Sequence, residues 1–164
     1  MKRPLIIFAV ILALAGFALA QQKYEKFTND RFFFVVDYPT DLFKMQPLPD
    51  NDDGATFLSS DGSVEMRVWG QYNAENQTLR ERYLMSLKGF DTKPTYMVLG
   101  PTSFVVSGIK DDKIEYVKTL YKRTDKLGVY YTLTITYPAS ARKKYDSIVT
   151  HIANSFRTIP GADI

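Results

Sequence analysis

Residues 127–156 read LGVYYTLTITYPASARKKYDSIVTHIANSF, and the pattern changes period at Pro138. Before it, Val129, Tyr131, Leu133, Ile135 and Tyr137 alternate with Tyr130, Thr132, Thr134 and Thr136. A period of two puts the first set on one face of a strand and the second on the other. After it, Ala141, Tyr145, Ile148, Val149, Ile152 and Phe156 fall within about 100° at 3.6 residues per turn, the stripe of an amphipathic helix from about Ala139 to Ser155. A two-faced strand leading into a one-striped helix requires a sheet that buries one face under that helix.

The segments upstream repeat the strand signal. Lys113 to Arg123 sets Ile114, Tyr116 and Leu120 against Val117, Thr119 and Tyr121. Ser103 to Ile109 precedes it across Asp111-Asp112, and the short run Tyr96 to Leu99 ends at Gly100-Pro101. Thr78 to Lys88 predicts a helix, with Thr78 and Glu81 as a capping box, Leu79, Tyr83, Leu84 and Leu87 as its stripe and Gly89 as its stop. Ala55 to Ser60 and Ser63 to Tyr72 flank Asp61-Gly62, which predicts a hairpin with a type I′ turn. In its second arm Val64, Met66 and Val68 oppose Glu65, Arg67, Trp69 and Gln71. Phe32 to Tyr38 reads as a strand stopped by Pro39, Thr40-Asp41 as the cap of a short helical turn through Phe43, and Met45 to Gly54 as a loop. Short hairpin connections without crossover helices give the α+β class with an antiparallel sheet, both helices lying on one of its faces.

The length of 164 residues allows one domain. Lys2 and Arg3 precede an uncharged run from Leu5 that ends in Ala18-Leu19-Ala20. Small residues at −3 and −1 predict a signal peptide over 1–20, cleaved after Ala20, and a mature domain over 21–164. Retention as an anchor is the alternative, but the run falls short of the roughly 20 residues that span a bilayer. Beyond the leader, 19 basic face 18 acidic side chains. Such a balance excludes the strong positive field that nucleic-acid binding needs. The absence of Cys excludes disulfides, thiolate metal sites, Cys nucleophiles and lipid attachment at Cys. A single His excludes any site built on two imidazoles. A chain of this size buries about 70 % of its unfolded surface, enough for one core.

Several segments together resemble the PsbP-like superfamily. Phe34-Val35-Val36-Asp37-Tyr38-Pro39, followed by Leu42-Phe43, resembles the family's aromatic-x-V-x-Y-P entry. Phe57 to Gly62 with the alternating Ser63 to Val68 resembles its first hairpin. Tyr131 to Ala139, Tyr145-Asp146 and Ile152 to Phe156 resemble its last strand, helix and SF ending. The likeness runs from about Phe27 to Thr158. It implies a single-domain α/β/α sandwich around a central antiparallel sheet, and a protein that acts by docking. The superfamily includes the extrinsic PsbP subunit of photosystem II, a nuclear Ran-GTPase-binding protein, bacterial envelope proteins and secretion-effector chaperones. No functional motif of the family carries over residue by residue, and PsbP metal sites use His and carboxylates where this chain has one His.

Four constellations invite a functional reading. His151 lies about 115° from the centre of the last helix's stripe and reads as a surface His; no G-x-S-x-G precedes any Ser to complete a triad. Asp50, Asp52 and Asp53 before Gly54 form a solvated acidic loop or a weak Ca²⁺ site, out of EF-hand register. Arg142-Lys143-Lys144 is a basic triplet, a solvated helix face or a contact for anionic lipid or an acidic partner. The fourth is the semi-polar sheet face of Arg67, Trp69, Thr119, Tyr121, Arg123, Tyr130 and Thr132. Trp, Tyr and Arg dominate binding hot spots, so Arg67, Trp69, Tyr121, Arg123 and Tyr130 are the candidate binding residues. If the Phe43 to Gly54 segment or another helix covers this face, Trp69 belongs to the core instead. The expected protein is an exported, periplasmic or secreted, non-enzymatic accessory or assembly factor. It docks on another envelope protein, with no cofactor, no metal, no nucleic acid and no stable membrane insertion after cleavage. The alternatives are a small-ligand binder with Trp69 and Tyr121 in one aromatic cleft, and a carboxylate-only hydrolase, for which nothing in the sequence pairs two acids.

Overall fold

The computed structural model describes residues 22–124 and 127–161. The expected leader and its cleavage point lie outside them. The chain begins with strands β1 (Tyr24–Asn29), β2 (Phe34–Pro39), β3 (Phe43–Met45), β4 (Gly54–Ser59) and β5 (Glu65–Tyr72), then helix α1 (Leu79–Leu87). Strands β6 (Tyr96–Leu99), β7 (Ser103–Lys110), β8 (Lys113–Arg123) and β9 (Gly128–Pro138) follow. A 3-10 turn (Ala139–Ala141), helix α2 (Arg142–Ser155) and β10 (Arg157–Thr158) close the chain. Seven strands form one antiparallel sheet in the order β3-β4-β5-β9-β8-β7-β6, and three form a second in the order β1-β2-β10.

The period-two reading of β9 is the axis of the core. Val129, Tyr131, Leu133, Ile135 and Tyr137 are buried on one face, with Val68 and Met66 of β5 beside Leu133 and Ile135. The small sheet and α2 together make the layer over that face, and α2 packs on β2 and β9. Phe34 joins the two sheets: its ring stands edge-on to Tyr131 at 6.1 Å and to Phe156 at 6.0 Å, and tilts against Phe27 at 6.1 Å. Lys118 shares this face. It runs its stem along the apolar layer and donates from Nζ to the Ala153 carbonyl at 2.6 Å, near the end of α2. Desolvation holds its pKa below the usual lysine value.

The α/β/α layering matches expectation, but the helices do not share a face. Helix α1 packs on the opposite side against β7, with Tyr83 edge-on to Phe104 at 5.7 Å. Its capping box forms as predicted: Glu81 N–H donates to Thr78 Oγ1 at 3.2 Å and Thr78 N–H to Glu81 Oε2 at 2.7 Å. Its stripe does not become core. No residue of α1 is buried, and Leu84 stays exposed.

Three local readings are corrected. The residues after Pro39 turn into β3 rather than a helical turn, because pairing Phe43 with Ser59 of β4 buries its ring. Strands β1 and β10 were not predicted. The Asp61-Gly62 turn is not type I′, which needs positive φ at both residues; only Gly62 has it, at 67°. Here Ser59 N–H reaches the Val64 carbonyl at 3.0 Å. The Asp61 carboxylate accepts from Ser59 Oγ at 2.6 Å, Ser63 N–H at 3.0 Å and Ser63 Oγ at 2.8 Å. The mirror-image turn sits at Asp111-Asp112 instead, with φ of 50° and 58° between the paired Lys110 and Lys113.

Those three donors, Ser59 first, pull the Asp61 pKa down to about 2. A carboxyl with a depressed folded pKa stabilises the fold above its unfolded value and loses that contribution as pH falls through its folded value. Asp61→Asn is therefore expected to melt below the native chain at neutral pH. The gap should close as pH falls from about 4, the unfolded carboxyl value, towards 2. Melting curves of both chains across that range check it; a gap that stays constant counts against the carboxylate as the clamp of this turn.

Candidate functional site

The face of the large sheet opposite α2 carries the predicted residues, and it divides in two. In register across β5, β9 and β8 lie Trp69, Thr132 and Thr119, then Gln71, Tyr130 and Tyr121, with Arg67, Thr134 and Val117 on the other side. Tyr130 is fully buried. Its hydroxyl donates to the Gln77 carbonyl at 2.6 Å, the Arg82 guanidinium lies over its ring at 4.3 Å, and Tyr121 tilts against it at 4.8 Å. Thr119 and Thr132 are also buried, their hydroxyls 3.3 Å apart. All three belong to packing, and Tyr130, under Arg82 of α1, offers no accessible surface, which corrects the expectation for it.

Glu65, Trp69, Val117, Thr134 and Thr136 remain half-exposed, and Arg67 is exposed. The Arg67 guanidinium sits 5.8 Å from the Trp69 ring centroid, and Trp69 Nε1–H donates to Gln71 Oε1 at 3.1 Å. The cation thus lies within cation–π range of the indole, whose polar edge is already hydrogen-bonded. Beside them opens a hollow of about 380 Å³ walled by Pro47, Pro49, Asn51 and Asp53. The segment between β3 and β4 therefore walls Trp69 on one side without sealing it. The sequence reading offered the Phe43 to Gly54 segment as a cover for this face; the segment instead forms a side wall, stiffened by the two prolines of QPLPD, and leaves Trp69 half-exposed.

Tyr121 and Arg123 line a different hollow, of about 470 Å³, with Asn76, Gln77 and Leu127. Trp69 and Tyr121 do not share a cleft, which removes the geometry that the aromatic-cleft reading assumed. The structure thus places two of the five residues, Arg67 and Trp69, in one open site, two in another, and one in the core.

The other flagged groups stand apart. His151 is exposed, stacks on Tyr24 with centroids 3.8 Å apart, and its Nε2 lies 3.6 Å from Asp37 Oδ2. In the acidic loop Asn51 donates to Asp53 at 3.0 Å, and Asn29 holds the Asp52 carbonyl at 2.9 Å. Among the described residues no three His, Asp or Glu side chains come together as a metal-holding group. Arg142 pairs with Asp146 at 3.2 Å, and the Lys144 ammonium lies over the Tyr145 ring at 5.1 Å. No described helix is long and apolar enough to cross a membrane.

No protein-family model and no curated protein matches the sequence. Solved structures do match the fold. Cyanobacterial PsbP (CyanoP) from Synechocystis sp. PCC 6803 aligns with a TM-score of 0.61 at 10 % identity, over 87 % of this chain and 96 % of its own. LpqN of Mycobacterium tuberculosis, described as involved in cell envelope biogenesis, aligns at 0.54 and 10 % identity over 85 % and 92 %. The Saccharomyces cerevisiae Ran-binding protein Mog1p aligns at 0.52 and 11 % identity over 84 % and 96 %. With the layered sheets, the helix placement and these alignments agreeing, the chain has the PsbP-like fold.

Proposed function

We propose that this is an exported, non-enzymatic accessory protein that docks on another envelope or secreted protein through the open part of the sheet face around Arg67 and Trp69. The observation that carries the reading is the Arg67–Trp69 pair. It is a half-exposed indole beside a guanidinium, next to the half-exposed Glu65, Val117, Thr134 and Thr136 of the same face. Interface hot spots favour these two residue types in a pocket whose rim excludes water, and the Pro47–Asp53 wall supplies such a rim. Among the proteins of similar fold, Mog1p is a Ran-binding protein, which agrees with a binding role, and LpqN is involved in cell envelope biogenesis, which agrees with an envelope setting. Export follows from the leader: cleavage after Ala20 releases residues 21–164 as one domain into the periplasm or beyond.

Crosslinked capture by the tagged mature domain from native envelope extract, read by mass spectrometry, tests this. One stoichiometric partner is expected. Trp69→Ala and Arg67→Ala should each weaken its capture by roughly 30-fold, the size of a 2 kcal/mol hot spot. Both variants should melt within a few degrees of the native chain, because neither side chain is core. Capture unchanged by either substitution overturns the assignment of this face, and a large fall in melting temperature for Trp69→Ala makes the indole structural.

A further inference from the structure

On the other face of the large sheet, α2 packs over β9 and the small sheet and leaves the β6–β8 end without a helix. A cavity of about 370 Å³ lies in the step between them. Its size falls in the range of about 300–1,000 Å³ typical of small-molecule sites. Ile109, Ile114 and Val149 give it apolar lining, and Tyr96, Tyr116 and Tyr137 give it aromatic faces from three strands. Arg142, Asp146 and Thr150 of α2 complete it on the helix side.

The polar groups here are unequally satisfied. The Tyr137 hydroxyl donates to Asp146 Oδ1 at 3.0 Å, and Arg142 Nε donates to Asp146 Oδ2 at 3.2 Å, so the carboxylate is occupied on both oxygens. The half-buried Tyr116 hydroxyl has no hydrogen-bond partner among the described residues, and neither do the two terminal nitrogens of Arg142. Burial pushes the Tyr116 pKa up to about 12, so this hydroxyl is a proton donor throughout the physiological range. The cavity therefore presents apolar and aromatic walls, the hydroxyls of Tyr116 and Ser107 and one cationic fork, with its only carboxylate already engaged. A planar guanidinium with free terminal N–H groups matches a carboxylate or sulfonate oxygen pair.

We propose that this cavity is a binding site for a small organic anion with a flat apolar body, held between Tyr96, Tyr116 and Tyr137 and anchored by Arg142. The site lies across the sheet from Trp69 and does not depend on the docking role.

The test is fluorescence titration of the full chain with 1-anilinonaphthalene-8-sulfonate, and with N-phenyl-1-naphthylamine as the uncharged counterpart of the same shape. Saturable one-site binding of the sulfonate is expected. Thr150→Trp, an exposed helix position on the rim, should fill the opening and weaken binding of both probes at least roughly tenfold, with the melting temperature unchanged. Arg142→Gln should weaken the sulfonate by roughly five- to tenfold and leave the neutral probe within about twofold, the signature of a lost charge-assisted contact. No saturable sulfonate binding overturns the proposal. So does binding that a natively folded Thr150→Trp leaves unchanged. If Thr150→Trp lowers the melting temperature, Arg142→Gln decides alone: equal affinity for the sulfonate before and after overturns it.

Discussion

Phe34→Ala is expected to destabilise the domain by about 3–5 kcal/mol, the range for removing a fully buried Phe ring. Phe34 is 0 % exposed and touches rings from three separate parts of the chain: Phe27 on β1, Tyr131 on β9 and Phe156 after α2. Truncation removes the area buried by the ring and leaves a cavity that three aromatic neighbours from different layers cannot close together. A domain of this size has about 5–15 kcal/mol in total, so the loss takes a large share of its stability. It should lower the melting temperature by roughly 10–20 °C. Thermal and urea unfolding of the variant measure it, with Val98→Ala as the control: Val98 is exposed on β6 and should change little. A Phe34→Ala chain that melts with the native protein would mean that the small sheet does not pack onto the large one as described.

The elements that the sequence revealed are those whose residue types follow a single period, as β9 and α2 do. The residue types of β9 alternate over its whole length because it lies between β5 and β8 with the main core on one face; burial itself alternates only from Leu133 onward, since Tyr130 and Thr132 on the other face are buried too. β1 was not legible, because it sits at the edge of the small sheet and buries only Phe27 and Asn29 of six residues. β10 is two residues long and carries no period at all. The placement of α1 was misread for a different reason. A stripe states that a helix has an apolar side, not which face of a sheet receives it, and here contacts through Arg82 and Tyr83 place the helix while Leu84 and Met85 stay outside. The same gap explains the site. Alternation put Trp69, Tyr121 and Tyr130 on one face correctly, yet it could not show that the residues around α1 close over Tyr130 and split the others into two hollows. The tyrosine-walled cavity was further from view, since it is formed only where α2 meets the β6–β8 end of the sheet.

Gly54→Ala tests the link between fold and docking face most directly. Gly54 opens β4 opposite Trp69. A Cβ there would lie 1.9 Å from the Val68 carbonyl oxygen and 2.7 Å from both Cα and Cβ of Trp69. The obstacle is backbone, so no side-chain rotation relieves it, and the start of β4 must swing away from β5. That movement breaks the Gly70 N–H to Asp53 carbonyl bond of 2.8 Å and carries off the Asn51–Asp53 wall beside the indole. We expect a loss of about 3 kcal/mol or more, at the upper end for overpacking because backbone meets backbone, and with it the loss of partner capture. Gly62→Ala separates this from a generic glycine effect. Gly62 sits at φ +67° with nothing within 4 Å of the added methyl. Its cost is therefore the left-handed backbone alone, about 1–2 kcal/mol, with capture retained. The three variants then form a graded set: Trp69→Ala keeps the fold and loses the partner, Gly62→Ala loses some stability and keeps the partner, and Gly54→Ala loses both. If Gly54→Ala melts as the native chain and still captures the partner, the close approach of β4 to β5 does not shape the Trp69 hollow, and the docking face lies elsewhere.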